Sequence, residues 1–93
     1  MIRSFSCKET ARIFSGEESR KFPRGIQESA FEKLRAVNRA EDVFYLRLPP
    51  SNRLEKLSGN LRGFWSIRIN RQWRIVFRFS GGNAFDVRIT DYH

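Results

Sequence analysis

The chain closes on Asp91-Tyr92-His93, and His93 is its one histidine. Upstream, aromatic and aliphatic residues alternate with arginines, from Phe64-Trp65-Ser66-Ile67-Arg68-Ile69 to Trp73-Arg74-Ile75-Val76-Phe77-Arg78-Phe79. Guanidinium is permanently charged, and its planar fork of N–H donors matches a pair of phosphate oxygens. Imidazole titrates near neutrality, while a carboxylate or phenol joins it only when its surroundings shift its pKa. Arginines beside an Asp-Tyr-His cluster point to phosphodiester chemistry on RNA, whose own 2′-OH serves as nucleophile. The protein must then help remove that proton, stabilise a pentavalent phosphorane and help protonate the departing 5′ oxygen. Arg68 and Arg74 are the expected phosphate clamps. Asp91, Tyr92 and His93 jointly are the expected proton-transfer groups, with no division into acid and base.

Each of these residues also has a plainer reading. Strand arginines commonly form the solvated side of a sheet covered on one face, which by residue type is the favoured reading for any one of them taken singly, and terminal residues are often frayed. A strand over residues 85–89 argues against fraying, because it ties the end of the chain to the sheet. Trp65 and Trp73 resemble stacking platforms for nucleotides, but alternation puts both with Ile67, Ile75 and Phe77, so they are expected in the core. Phe64 and Tyr92 are better placed to meet a base. Lys8, Arg12, Arg20, Lys21 and Arg24 read as a mixed charged surface. No Gly-rich phosphate loop, metal-ligand spacing or Ser-His-Asp arrangement can be assembled, so no metal and no cofactor are expected.

Composition bounds the class of protein. Ninety-three residues make one small domain, 1–93, with room for a single core. Hydrophobic residues are 40% and aromatics 14%, including nine Phe and two Trp, too apolar for a disordered chain. Eighteen Lys and Arg against ten acids give a net charge of +8 and a pI near 10.8, which favours polyanionic partners through counterion release. Residues 1–52 hold ten basic and seven acidic residues, and residues 53–93 hold eight and three, so the aromatic half is the more one-sided. Cys7 is alone, which excludes an internal disulfide and fits a reducing compartment. It reads as a small buried residue rather than a nucleophile. The N-terminus lacks the apolar run of a signal peptide and no membrane-length apolar stretch occurs, so a cytoplasmic protein without membrane partners is expected.

The elements that must position these residues fall into two halves. Residues 2–5 suit a short strand, and Ser6-Cys7-Lys8-Glu9 has the spacing of a capping box for a helix ending near Gly16, with Ile13 and Phe14 buried. A charged loop containing Pro23 follows. Ile26, Ala30, Leu34 and Val37 fall at i, i+4, i+8 and i+11, one apolar stripe of an amphipathic helix. Residues 41–46 suggest a short third helix stopped before Pro49-Pro50. From Arg53 the period becomes two, with turns at Ser58-Gly59-Asn60, Asn70-Arg71 and Gly81-Gly82-Asn83, the pattern of an antiparallel meander. Alternation puts Trp65, Ile67 and Ile69 on one face with Trp73, Ile75, Phe77 and Phe79, and with Phe85, Val87 and Ile89. The other face collects Arg68, Arg74, Arg78 and Arg88 with Tyr92. The expected fold class is α+β: two or three N-terminal helices packed on one face of a twisted antiparallel β-sheet.

The run Asn52-Arg53-Leu54-Glu55-Lys56-Leu57-Ser58-Gly59-Asn60-Leu61-Arg62-Gly63-Phe64-Trp65-Ser66-Ile67-Arg68-Ile69-Asn70-Arg71-Gln72-Trp73-Arg74-Ile75, with the ending Asp91-Tyr92-His93, resembles the HigB-like branch of the RelE/ParE toxin superfamily, the plasmid-maintenance killer proteins. The likeness extends over the whole chain in length and element order. It implies a RelE-like fold and a type II toxin that cleaves messenger RNA in the A site of the 30S ribosomal subunit without a metal ion, inhibiting translation. The implied partners are the ribosome, its mRNA and a HigA-like helix-turn-helix antitoxin. Some members present a histidine and a lysine three apart in the segment matching residues 53–59, and here Glu55 and Ser58 stand in those places. Lys56 is one residue away, on the reverse side of a strand, and Arg62 in the adjoining turn is the other source of charge. Arg62, Lys56, Arg78, Arg88 and Phe64 complete the expected nucleic-acid surface. Two rival readings are a ParE-like poison of DNA gyrase and a non-catalytic nucleic-acid-binding module.

Overall fold

A computed structural model describes residues 1–91. Two α-helices, α1 at Lys8–Phe14 and α2 at Arg24–Arg39, precede four strands: β1 at Glu55–Lys56, β2 at Phe64–Arg68, β3 at Trp73–Ser80 and β4 at Asn83–Asp91. The strands form one antiparallel sheet in the order β1-β2-β3-β4. Ile26, Ala30, Leu34 and Val37 are the buried residues of α2, as their spacing requires. They meet Ile13 of α1 and Ile67, Ile75, Phe77, Val87 and Ile89 of the sheet in a single core, with Trp65 and Trp73 partly buried against it. Truncating a residue such as Leu34 to alanine is expected to cost ~2–5 kcal/mol.

Several local expectations are corrected. Residues 41–46 do not add an α-helix: Val43–Arg47 is a 3-10 helix, started by Asp42 accepting the Phe44 N–H at 2.8 Å and burying Val43 and Leu46. The capping box does not form, because α1 begins after Cys7 with no side-chain cap. Ser6 Oγ instead donates to the Asp86 carbonyl, and Glu9 accepts from Ser19 Oγ at 2.7 Å. Residues 2–5 make two isolated parallel bridges, Ile2 to Ala84 and Phe5 to Val87, that cover the free edge of β4.

The largest departure from simple alternation lies in β4. Val76 pairs with Arg88 but Arg78 pairs with Phe85, so β4 carries one extra residue between these pairs. This is a β-bulge at Asp86, whose φ of 54° is in the left-handed region that Asp tolerates better than most side chains. The bulge reverses side-chain parity. Val87 and Ile89 face the helices as expected, but before the bulge it is Ala84, not Phe85, that is buried. Phe85 therefore stands on the arginine face, opposite Arg78. The β3–β4 hairpin closes through Gly81 and Gly82, both at positive φ, as a two-residue turn between strands of this twist demands.

Candidate nucleic-acid interface

Cross-strand register builds the outer face of the sheet as three rows. Arg68, Arg74 and Thr90 form the first, at the end of the sheet where the chain finishes. Glu55, Ser66, Val76 and Arg88 form the second, and Phe64, Arg78 and Phe85 the third. All four expected arginines thus share one face.

Arg68 and Arg74 are direct partners across β2 and β3. Like charges directly opposite one another destabilise a sheet, so the pair favours an anion between or above them. Arg74 is not a solvated strand arginine: its side chain is only 13% exposed, against 57% for Arg78. Its Nη1 donates to Ser66 Oγ at 2.9 Å and to the Arg53 carbonyl at 3.4 Å, and lies 3.8 Å from a Glu55 carboxylate oxygen. Ser66 itself is fully buried. Arg68 is fixed by its own hairpin, where Nε donates to the Asn70 carbonyl at 3.0 Å while Asn70 Oδ1 accepts the N–H groups of Gln72 and Trp73 at 2.8 Å.

The carbonyl that steadies Arg74 is positioned from behind by a buried amide. Asn52 is 2% exposed, and its Nδ2 donates to the carbonyls of Leu46 and Leu48 at 3.1 and 3.2 Å. Its Oδ1 accepts from Lys33 Nζ of α2. Desolvation holds the Lys33 ammonium below its ordinary pKa. The next residue, Arg53, takes a left-handed conformation at φ 46° and turns the chain into β1.

Glu55 is the group that residue types alone left without a role. It pairs with Ser66 in register and is the carboxylate beside Arg74 among the described residues. Its cue in the sequence was the single-residue step that separates it from Lys56. Lys56 pairs with Trp65, so it lies on the helix side, with Nζ 5.8 Å from the Trp65 ring centroid. It is not gathered with the arginines. Asp91 also departs from them: it pairs with Trp73 on the helix side, and its Oδ2 accepts from Gln72 Nε2 at 3.2 Å. Tyr92 and His93 lie outside the described residues.

The third row is organised by Phe64. The guanidinium carbons of Arg78 and Arg88 sit 4.9 and 5.6 Å from its ring centroid, within cation–π range, and Arg78 Nε lies 3.6 Å from Asp86 Oδ2. Phe64 thereby aims two cations rather than offering a bare face to a base. Arg62 is exposed in the turn before Gly63 and β2, at this same end. Among the described residues no group of His, Cys, Asp and Glu side chains could hold a metal ion, and no helix is long and apolar enough to cross a membrane.

Comparison with known proteins finds relatives in both sequence and fold. A family model described as the RelE-like toxin of the type II toxin-antitoxin system HigB matches residues 3–93. Toxin HigB-1 of Vibrio cholerae serotype O1 is 42% identical over 67 residues, 72% of this chain and 70% of that protein. Endoribonuclease HigB of Proteus vulgaris is 30% identical over 93 residues, 100% of both chains. In fold, the chain is similar to one in the YoeB-YefM complex from Staphylococcus aureus, with a TM-score of 0.62 at 18% identity over 100% of this chain and 98% of that one. The chain belongs to the HigB-like family of RelE-like toxins of type II toxin-antitoxin systems.

Proposed function

We propose that this toxin is a ribosome-dependent, metal-independent endoribonuclease that cuts mRNA in the A site, halts translation in the cytoplasm and is silenced by a cognate helix-turn-helix antitoxin. The observation that carries the reading is the facing pair Arg68 and Arg74, with Arg74 sunk into the sheet and held by Ser66 and the Arg53 carbonyl. A prepaid, poorly solvated guanidinium beside a second one is what a phosphorane requires, since such donors need little reorganisation as charge develops. The Proteus vulgaris relative, named an endoribonuclease, supports the same activity.

In the proposed reaction the 2′-OH oxygen bonds to the adjacent phosphorus and the bond from phosphorus to the 5′ oxygen breaks. The products are a 2′,3′-cyclic phosphate and a 5′-hydroxyl end. Arg74 and Arg68 grip the non-bridging oxygens. Glu55 and the terminal Asp91-Tyr92-His93 group share the transfer of the two protons.

Inducing the protein in cells and mapping 5′ ends of mRNA tests the reading. Cuts within codons, in frame with translation and lost in Arg74→Ala, are expected. Intact mRNA with stalled DNA replication would instead favour a gyrase poison.

A further inference from the structure

Beyond the clamp, we infer that Phe85 and the bulge beside it form a second subsite, which binds the base of a nucleotide one phosphate beyond the two that flank the scissile phosphate. The inference rests on the endoribonuclease reading and adds to it a place where the bound strand is read.

A cavity of about 420 Å³, within the ~300–1000 Å³ range of small-ligand sites, opens at the third row. Its lining includes Ser4, Gly63, Arg78, Phe85 and Asp86. Phe85 has no ring or cation partner among the described residues, whereas the Phe64 ring is occupied by Arg78 and Arg88. Among the described residues of the arginine face, half-buried Phe85 is therefore the aromatic without such a contact, and bases of every kind stack on an aromatic ring. Asp86, whose Oδ2 lies 3.6 Å from Arg78 Nε, adds an acceptor for an exocyclic amino group, Arg78 a cation for the adjoining phosphate, and Gly63 contributes no side chain to the lining.

Spacing along the sheet makes this a separate subsite. Arg74 and Arg78 are four residues apart on β3, roughly 14 Å at strand rise, farther than one sugar and phosphate reach. Arg88, in the row between them, is placed to meet the linking phosphate. The bulge is also fixed: Ser4 Oγ accepts the Asp86 N–H at 2.8 Å and Ser6 Oγ donates to the Asp86 carbonyl at 3.1 Å. The N-terminal segment thus holds Phe85 on the arginine face.

The test compares wild type with Phe85→Ala, Phe85→Leu and Arg74→Ala in NMR titrations. The probes are a single-stranded octaribonucleotide and a dinucleotide with one phosphodiester. Both Phe85 variants should bind the octamer about tenfold more weakly, from the loss of one stacked base, with dinucleotide binding unchanged. Arg74→Ala should weaken both probes. An unchanged octamer affinity in Phe85→Leu, the variant that keeps apolar volume, overturns the subsite, as does an equal loss on both probes. If Arg74→Ala alone has no effect, the clamp fails and the Phe85 subsite stands.

Discussion

Thr10 Oγ1, fully buried, accepts the backbone N–H of Ile89 at 2.9 Å across 79 residues. The N-terminal bridges to β4 end at Val87, and the first helix takes over the next outward-facing donor of that strand through a side chain. The end of β4, which carries Asp91 and leads to Tyr92-His93, is thereby anchored to α1. Thr10→Val keeps the shape but strands the Ile89 N–H, so unfolding free energy in urea should fall by about 1–3 kcal/mol. A loss below a few tenths would show that water satisfies this donor.

The same threonine governs a titration. Burial pushes the Cys7 thiol up, but hydrogen bonds from the Thr10 hydroxyl and amide and the Glu9 amide, with the Lys21 ammonium 3.8 Å away, outweigh it and hold the thiol below its ordinary 9.0. The native state then binds fewer protons than the unfolded chain between the lowered value and 9.0, and stability rises with pH across that window. It is lost again as pH falls through the folded value. Cys7→Ser should flatten that part of the slope, and the alkylation rate of wild type should reach half its plateau below pH 9.0. A midpoint above 9.0 would contradict the assignment.

Arg74→Lys separates charge from geometry. Lysine keeps the cation but cannot span Ser66, the Arg53 carbonyl and a phosphate with one fork. Cleavage on programmed ribosomes should drop at least about tenfold, with thermal stability little changed. Activity equal to wild type would mean that Arg74 supplies only long-range attraction.

Glu55→Gln tests proton transfer against binding. Removing a carboxylate 3.8 Å from Arg74 cannot weaken attraction for RNA, so affinity should hold or improve. The cleavage step should slow by about 10²–10⁴ if Glu55 is a general base. A variant that cleaves at full rate assigns both protons to the terminal residues.

Salt titrations count the cations in contact. Binding to single-stranded RNA should weaken linearly in log salt, with a slope of about −0.7 per phosphate neutralised. Arg88→Gln should make the slope shallower by roughly that amount. Lys56→Gln should leave it unaltered, because Lys56 lies on the helix side with Trp65.

What was legible in the sequence follows from periodicity. The stripe Ile26, Ala30, Leu34, Val37 could bury only as one face of a helix, and β2 and β3 alternate without interruption, so the gathering of Arg68, Arg74 and Arg78 needed no coordinates. Alternation failed at Phe85 because a bulge is one residue out of register and leaves no local apolar signature. Asp86 tolerates its positive φ, but Asp is common elsewhere. Likewise the Ser6 to Glu9 spacing was a capping box in form, yet Ser6 and Glu9 found partners in Asp86 and Ser19 that only the assembled fold presents.

By itself the sequence determined a small basic α+β domain, its family and the arginines of one sheet face, since charge, period and motif are properties of the chain. The tertiary structure alone decided that Glu55 sits at Arg74, that Lys56 and Asp91 lie on the helix side, and that Phe85 turns outward. Those outcomes depend on strand register and on the serine-held bulge, both of which are fixed by hydrogen bonds between segments as many as 82 residues apart.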